Sequence, residues 1–311
     1  MSCSAFAGQG FQISEAKMKV LTIGSMNIDH VYSVDHIVQP GETLTTGGMN
    51  IFLGGKGINQ SMALAKAGAQ VYHSGMIGED GTMFLDACKE YGVNSDYIRT
   101  IDEKTGHTII QVDKNAQNCI LLYGGANRCL TEEFVDDVLS HFEKDDILLL
   151  QNEVNLLPYI IDKAYAKGMQ IALNPSPFDD KLNECDLSKI SIFLLNEIEG
   201  GQITGESEPS AILDKLQQMY PDARIVLTLG KDGAVYAHKN ERYEQPIFKV
   251  EAVDTTAAGD TFTGYFLAGL IDGMAVPDIL RMSAKASSIA VTRHGAVQSI
   301  PYRNEVEEAL K

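Results

Sequence analysis

Tryptophan is absent from the 311-residue chain, and the cysteines number only five. Cys3, Cys88, Cys119, Cys129 and Cys185 form an odd set without a C-x-x-C pair, which argues against a disulfide framework and against a structural zinc site. A reducing, cytoplasmic setting is expected. No apolar run approaches the ~20 residues needed to span a bilayer. Met1 to Lys17 has neither the charged start nor the continuous apolar stretch of a signal peptide. Basic residues are also scarce, with 25 Lys and Arg against 42 Asp and Glu and a net charge of -17. That surplus repels nucleic acid and anionic membrane surfaces. A phosphate site on this chain has to be local, made of backbone N–H groups, a few cations or a metal.

What is present suits a large α/β domain. A hydrophobic content of 44% is ample for a sizeable core. Met1 to Lys17 reads as a mobile extension or leader, and residues 18–311 as one compact domain, without repeats or long linkers. Val20 to Gly24 reads as a buried strand that ends at the polar cluster Ser25-Met26-Asn27-Ile28-Asp29. Residues 30–52 and 105–122 are rich in Val, Thr, Tyr and Gly and lack helical periodicity. They are expected to pair into a small sheet, with Lys114-Asn115 as a hairpin break. Between them, Lys56 to Tyr91 reads helix, strand, helix. After Thr131 the pattern alternates between helices and short apolar runs at Ile147–Leu150, Ile171–Leu173, Ile192–Leu195 and Ile225–Leu229. These read as buried parallel strands with helices on both faces. Ligands of open α/β sheets bind at the carboxyl ends of the strands. Glu153, Asn174, Asn196 and Thr228 lie at or just past such ends and are expected to share one rim with Asn27 and Asp29.

The segment Asp254-Thr255-Thr256-Ala257-Ala258-Gly259-Asp260 precedes a helical pattern with Phe262, Tyr265, Phe266 and Leu270 on one face, and with the small Gly264 and Ala268 offering close approach elsewhere. The N–H groups of a helix start lack internal partners and carry the positive end of the dipole. The backbone of Ala257, Ala258, Gly259 and Asp260 can therefore form an anion hole that small side chains leave open. Asp260, beside that hole, can accept the proton of a hydroxyl that attacks a γ-phosphate. The plainer reading is a helix cap, but a cap does not require four small residues in succession.

Gly54-Gly55-Lys56-Gly57-Ile58-Asn59-Gln60 is a second glycine-rich turn at a helix start, equally consistent on spacing alone with packing and with binding. It is not a P-loop, because Gly57 stands where Ser or Thr is required, and no G-x-G-x-x-G follows the first strand. A nicotinamide dehydrogenase is thereby disfavoured. Asn196-Glu197-Ile198-Glu199 can hold Mg²⁺ through water, or can simply be a favourable helix N-terminus.

Together these segments resemble the ribokinase family of carbohydrate kinases. The resemblance runs from Met18 to near Lys311 and is carried by the two glycine-containing motifs. It extends to Asn27-Ile28-Asp29-His30, Pro40-Gly41-Glu42-Thr43, Gly125-Ala126-Asn127, Asn174-Pro175-Ser176-Pro177 and Ala290-Val291-Thr292-Arg293-His294-Gly295-Ala296. It implies a Rossmann-like, mostly parallel sheet under a small β-sheet lid, with the lids of two subunits joined in a homodimer. It also implies ATP-dependent phosphorylation of a sugar, D-ribose at its 5-hydroxyl foremost, with a related sugar or nucleoside as the alternative. By the same resemblance Asn27, Asp29, Gly55, Lys56, Asn59 and Glu153 hold the sugar beside Asp260, and Lys56 also meets the γ-phosphate. Asn196, Thr228, Gly230 and Gly259 lie along the ATP, with Glu199 near Mg²⁺. Asp254, Thr256, Ala290, Arg293, Gly295 and Ser299 are implied as the site of an activating K⁺. A non-catalytic sugar-binding protein on the same scaffold would be expected to lose Asp260 or Gly259, and both are present.

Overall fold

A computed structural model describes residues 18–115 and 117–311. The expected extension, Met1 to Lys17, lies outside the described residues. In chain order, β1 (Val20–Ile23) leads to β2 (Asn27–Ser33) and β3 (Gly48–Gly54). Next come α1 (Lys56–Lys66), β4 (Val71–Ile77), α2 (Met83–Tyr91) and β5 (Asn94–Thr100). β6 (Gly106–Val112) and β7 (Asn118–Tyr123) form a hairpin. An alternating stretch follows, with α3 (Glu132–Ser140), β8 (Ile147–Gln151), α4 (Leu157–Lys167), β9 (Gln170–Asn174) and β10 (Ile192–Asn196). α5 (Glu197–Thr204), α6 (Pro209–Met219) and β11 (Arg224–Thr228) continue it. β12 (Ala234–His238) and β13 (Glu241–Gln245) precede α7 (Ala258–Ile271), α8 (Val276–Ala290) and α9 (Arg303–Ala309).

Nine strands form one sheet in the order β13-β12-β11-β10-β9-β8-β1-β4-β5. The pairs from β5 to β11 are parallel, and β12 and β13 add an antiparallel edge. Strands such as β8, Ile-Leu-Leu-Leu-Gln, are buried at every position. Such continuous apolar runs suit a sheet covered on both faces. One core packs α1, α2, α7 and α8 on one face, and a second packs α3, α4 and α6 on the other. From β1 the chain proceeds outward to β4 and β5, then returns to the other side at β8. This reversal leaves a crevice at the carboxyl ends of β1 and β8.

The second sheet has the order β3-β2-β6-β7 and fits the expected lid. Its strands reach slightly beyond the apolar pattern, to Asn27 and Gly54 in the first hairpin. Register sets Asp29 opposite both Phe52 and Thr108, and Asn27 opposite Gly54 and Gly106, on one face. His30, Ile51, Ile109 and Leu121 occupy the other face.

Besides its apolar face, the small Gly264 and Ala268 are expected to offer close approach on another side of α7, and every residue from Asp260 to Gly269 is buried. α7 is a central helix, and small residues let its neighbours come close. A Cβ on Gly264 would stand 2.4 Å from Ala63 Cβ and 2.7 Å from Leu64 N.

Candidate active site

α1 starts at the crevice because its first turn is fastened to the loop after β1. Gly55 adopts φ 99° before the helix, and Gly57 packs so tightly that a Cβ would stand 2.4 Å from Ser25 N. Lys56 N–H donates to Glu153 Oε2 at 2.9 Å, and Gly57 N–H donates to Ser25 Oγ at 3.2 Å. The Ser25 hydroxyl donates in turn to Glu153. Burial pushes the Glu153 carboxyl up, against the lowering effect of the Ser25 and Lys56 donors.

Across the crevice, the inner face of the lid presents Asn27 and Asp29. Asn27 Oδ1 accepts from Asn127 Nδ2 at 2.8 Å, and Met26 N–H donates to Asn127 Oδ1 at 3.0 Å. Thr108 Oγ1 donates to Asp29 Oδ1 at 2.6 Å. The Asp29 carboxylate folds over Gly54, whose added Cβ would stand 1.9 Å from Oδ2. Burial raises the pKa of Asp29 to about 6, with the Thr108 bond opposing and the charge of Glu153 adding to the shift.

Asp260 occupies the third position of α7. The cap is Ala257, at φ 58° and without a side-chain cap bond, so the capping reading of Asp260 does not hold. Its carboxylate instead accepts from Asn59 Nδ2 at 3.0 Å on Oδ2 and from Gln60 Nε2 at 2.9 Å on Oδ1. Ala258 N–H turns back to Thr255 O at 3.3 Å. Helix geometry leaves the N–H groups of Gly259 and Asp260 for a ligand. A Cβ on Gly259 would meet nothing within 4 Å, so the helix start is open. Asn59 Oδ1 is buried without a partner and can accept a hydroxyl proton.

Lys56, Asn196, Glu199, Thr228, Gly259 and Asp260 line one cavity of about 80 Å³. Burial works against the charge of Lys56, yet Asp260, Glu153 and Glu199 outweigh it and hold the ammonium above its ordinary pKa. Asn196 and Glu199 form a capping box: Asn196 Oδ1 accepts from Ile198 and Glu199 N–H at 2.9 Å each, and Glu199 Oε2 accepts from Asn196 N–H at 3.1 Å. The helix-terminus reading of this pair is therefore realised, while both residues still face the cavity. Gly230, at φ 50°, lies past the end of β11 and does not line it.

Asp254 joins two segments, accepting from Thr256 N–H at 2.9 Å and from Gly295 N–H at 3.0 Å. Burial opposes the effect, but these donors hold its carboxyl below the usual range. Arg293 directs its guanidinium to Glu305 at 2.6 Å, so only its carbonyl is available to the loop. One carboxylate with backbone carbonyls is a donor set that fits a monovalent cation. Among the described residues no three His, Cys, Asp or Glu side chains cluster to hold a metal. A magnesium ion at Asn196 and Glu199 would have to keep much of its water, as that ion does.

Sequence reasoning missed Ser25, Thr108, Asn127 and Gln151 and assigned no role to Gln60. Thr108 had a signal, as a β-branched polar residue in a segment already expected to form a lid strand. Gln151, the last residue of an apolar strand, had another.

A carboxylate at an open helix start, on the carboxyl edge of a parallel sheet beneath a β lid, is the arrangement of a carbohydrate kinase. The chain belongs to the pfkB family of carbohydrate kinases, whose model matches residues 17–303. It is 38% identical over 305 residues to a ribokinase of Haemophilus influenzae, a match covering 94% of this chain and 99% of that one. A ribokinase from Cryptococcus neoformans in complex with ADP shares the fold with TM-score 0.83 and 32% identity, over 94% of this chain and 99% of that one. An Arabidopsis thaliana ribokinase complexed with ribose and ATP gives TM-score 0.83 and 28% identity at the same coverage, 94% and 99%. The chain is an ATP-dependent carbohydrate kinase.

Proposed function

We infer that this chain transfers the γ-phosphoryl group of ATP to the 5-hydroxyl of D-ribose. The observation that carries the reading is the buried carboxylate of Asp260, 7% exposed, at the open start of α7 in a cavity shared with Lys56, Asn196 and Thr228. The ribose and ATP bound to the Arabidopsis relative support that pair of substrates.

In this reading Asn27, Asp29, Gly55, Lys56, Asn59 and Glu153 hold the sugar hydroxyls, and Asn196, Thr228, Gly230 and Gly259 lie along the nucleotide. The 5-hydroxyl gives its proton to Asp260 while its oxygen bonds to the γ-phosphorus. The bond from that phosphorus to the bridging oxygen of the β-phosphate breaks, and ADP leaves. Gly259 and Asp260 offer the N–H groups of the helix start, the small Ala257 and Ala258 keep the approach open, and Lys56 offers its charge to the transferring group. Positioning and charge neutralisation supply most of the acceleration.

Asn196 and Glu199 would hold Mg²⁺, which would supply charge neutralisation at the phosphates. Asp254, Thr256 and the carbonyls of Ala290, Arg293, Gly295 and Ser299 would hold K⁺, which would supply positive charge beside the turn before α7. The outer face of the lid carries Met49, Ile51, Ile109, Leu121 and Tyr123, each at least 41% exposed. A contiguous apolar face of this kind suits burial against a copy of itself in a homodimer.

One coupled ADP-release experiment tests these assignments. Turnover is expected to be highest with ribose among pentoses, nucleosides and hexoses, higher in K⁺ than in Na⁺, and lost on magnesium chelation. Asp260→Asn is expected to lose roughly 10²–10⁴-fold in kcat. Wild-type turnover in that variant would sink the general-base assignment.

A further inference from the structure

Two amide side chains, Asn59 and Gln60, bond Asp260, two more, Gln151 and Asn174, bond Gln60, and only Asn59 belongs to the sugar site assigned above. The other three form a chain. Gln151 Nε2, at the end of β8, donates to Gln60 Oε1 at 2.6 Å. Gln60 Nε2 donates both to Asp260 Oδ1 at 2.9 Å and to Asn174 Oδ1 at 3.1 Å. Asn174 Nδ2, at the end of β9, donates to Leu194 O at 2.7 Å. Gln60 is 0% exposed and Gln151 1%, so water does not substitute for these partners.

The direction of the chain follows from its ends. Leu194 O and the Asp260 carboxylate are acceptors only. The backbone carbonyl forces Asn174 to turn its NH₂ towards β10 and its oxygen towards Gln60. The carboxylate likewise requires the NH₂ of Gln60. Both hydrogens of Gln60 are then engaged, and its oxygen has to accept from Gln151. A flipped Gln60 would set its oxygen against two other oxygens in a buried site, which carries the full penalty of unsatisfied groups. Gly24 makes room for the chain, since a Cβ there would stand 2.6 Å from Gln151 Oε1. The tight crossing at Gly264 brings α1 near enough to α7 for Gln60 to reach Asp260.

We propose that Gln60, oriented by Gln151 and Asn174, is a positioning residue that fixes the carboxylate plane of the base Asp260 and leaves the substrate hydroxyl one well-defined acceptor. The proposal rests on Asp260 being the base. Gln60 holds Oδ1, while Asn59 on Oδ2 has a second, buried oxygen free to engage the sugar. When the sugar docks, Asn59 can exchange partners without releasing the carboxylate.

The test is a double-mutant cycle on the full chain, read by kcat and by the KM of ribose. Gln60→Met keeps the volume and removes both donors. It is expected to lower kcat about tenfold or more while changing KM less than about threefold, the pattern of a lost transition-state contribution. In an Asp260→Asn background the same change is expected to have no further effect on the residual rate, because Gln60 acts only through the base. Gln151→Glu replaces the orienting donor with an acceptor at a position remote from base and sugar. It is expected to lower kcat in the same way and to lose that effect in the Asp260→Asn background, so it carries the test if Gln60→Met does not fold. Parent-like kcat in both single variants would overturn the proposal. So would equal losses in the presence and absence of the Asp260 carboxylate, the sign of a purely structural role. Parent-like turnover in Asp260→Asn alone would instead remove the general-base reading.

Discussion

Where α1 crosses α7, Gly264 lies against Ala63, and the buried polar groups that reach Asp260 are hydrogen-bonded to partners of fixed polarity. In the lid every residue of β7 is exposed, and the outer face carries exposed apolar side chains at Met49, Ile51, Ile109 and Leu121. Both regions contribute to the same crevice. The crossing holds groups whose orientation matters to the chemistry, and close packing with buried amide bonds to the carboxylate gives that rigidity, although Asn59 Oδ1 and Gln151 Oε1 have no partner among the described residues. The lid contributes Asn27 and Asp29 from a thin four-stranded sheet. Its stability is left partly to whatever covers its outer face.

Two glycines on one helix sharpen the contrast most. Gly259→Ala introduces a Cβ that meets nothing in the protein. Urea unfolding is expected to show no loss, since alanine is favoured over glycine in helices by roughly 0.5–1 kcal/mol. Turnover is expected to fall at least about tenfold, as the methyl intrudes on the transferring phosphoryl group. Gly264→Ala makes the same chemical change roughly one and a half turns further along the helix, where the new Cβ meets Ala63. A stability loss of about 1–3 kcal/mol is expected there from overpacking, with activity falling as the crossing opens. If both variants behaved alike, the division between open helix start and tight crossing would be wrong.

Leu121, 68% exposed on the outer face, tests the lid. Leu121→Glu is expected to shift the protein from dimer to monomer in sedimentation velocity while its thermal unfolding at high dilution stays unchanged. A parent that sediments as a monomer would remove the lid-mediated dimer.

The smallest effect expected is at Asp29. Its folded pKa, raised to about 6 from 3.8, means that the folded chain keeps a proton which the unfolded chain has released. Stability from this group is therefore lost as pH rises from about 4 through 6, and above that the penalty is complete. Asp29→Asn is expected to gain about 1–3 kcal/mol at pH 7.5 and to show no gain below pH 4. Ribose KM should rise in the same variant. Unchanged stability at pH 7.5 would show that the lid does not strain its carboxylate.

Much of this was legible in the residues themselves. Short, uniformly apolar runs between amphipathic stretches allow little but a covered parallel sheet, because no other arrangement buries both faces of such strands. Small residues before Asp260 marked an open helix start for the same local reason. The resemblance carried by Gly54 to Gln60 and Asp254 to Asp260 supplied the family and the sugar-facing residues. Gln60 and Gln151 could not be paired in this way, since 91 positions separate them and an amide alone does not reveal its partner. Gly264 and Ala268 marked where a neighbour could come close to α7, but not that the neighbour at Gly264 is α1, at Ala63 and Leu64.

Asp260 shows where the boundary falls. Chain-local chemistry determined that this carboxylate begins a helix among side chains too small to block an anion, for backbone dipoles and side-chain size are properties of a short segment. Its two amide donors and its place in a cavity with Lys56 and Asn196 came from α1 and the carboxyl end of β10. Those groups meet only because α1 and α7 pack at glycine distance over the reversal point of the sheet, a relation that depends on distant segments being brought into contact.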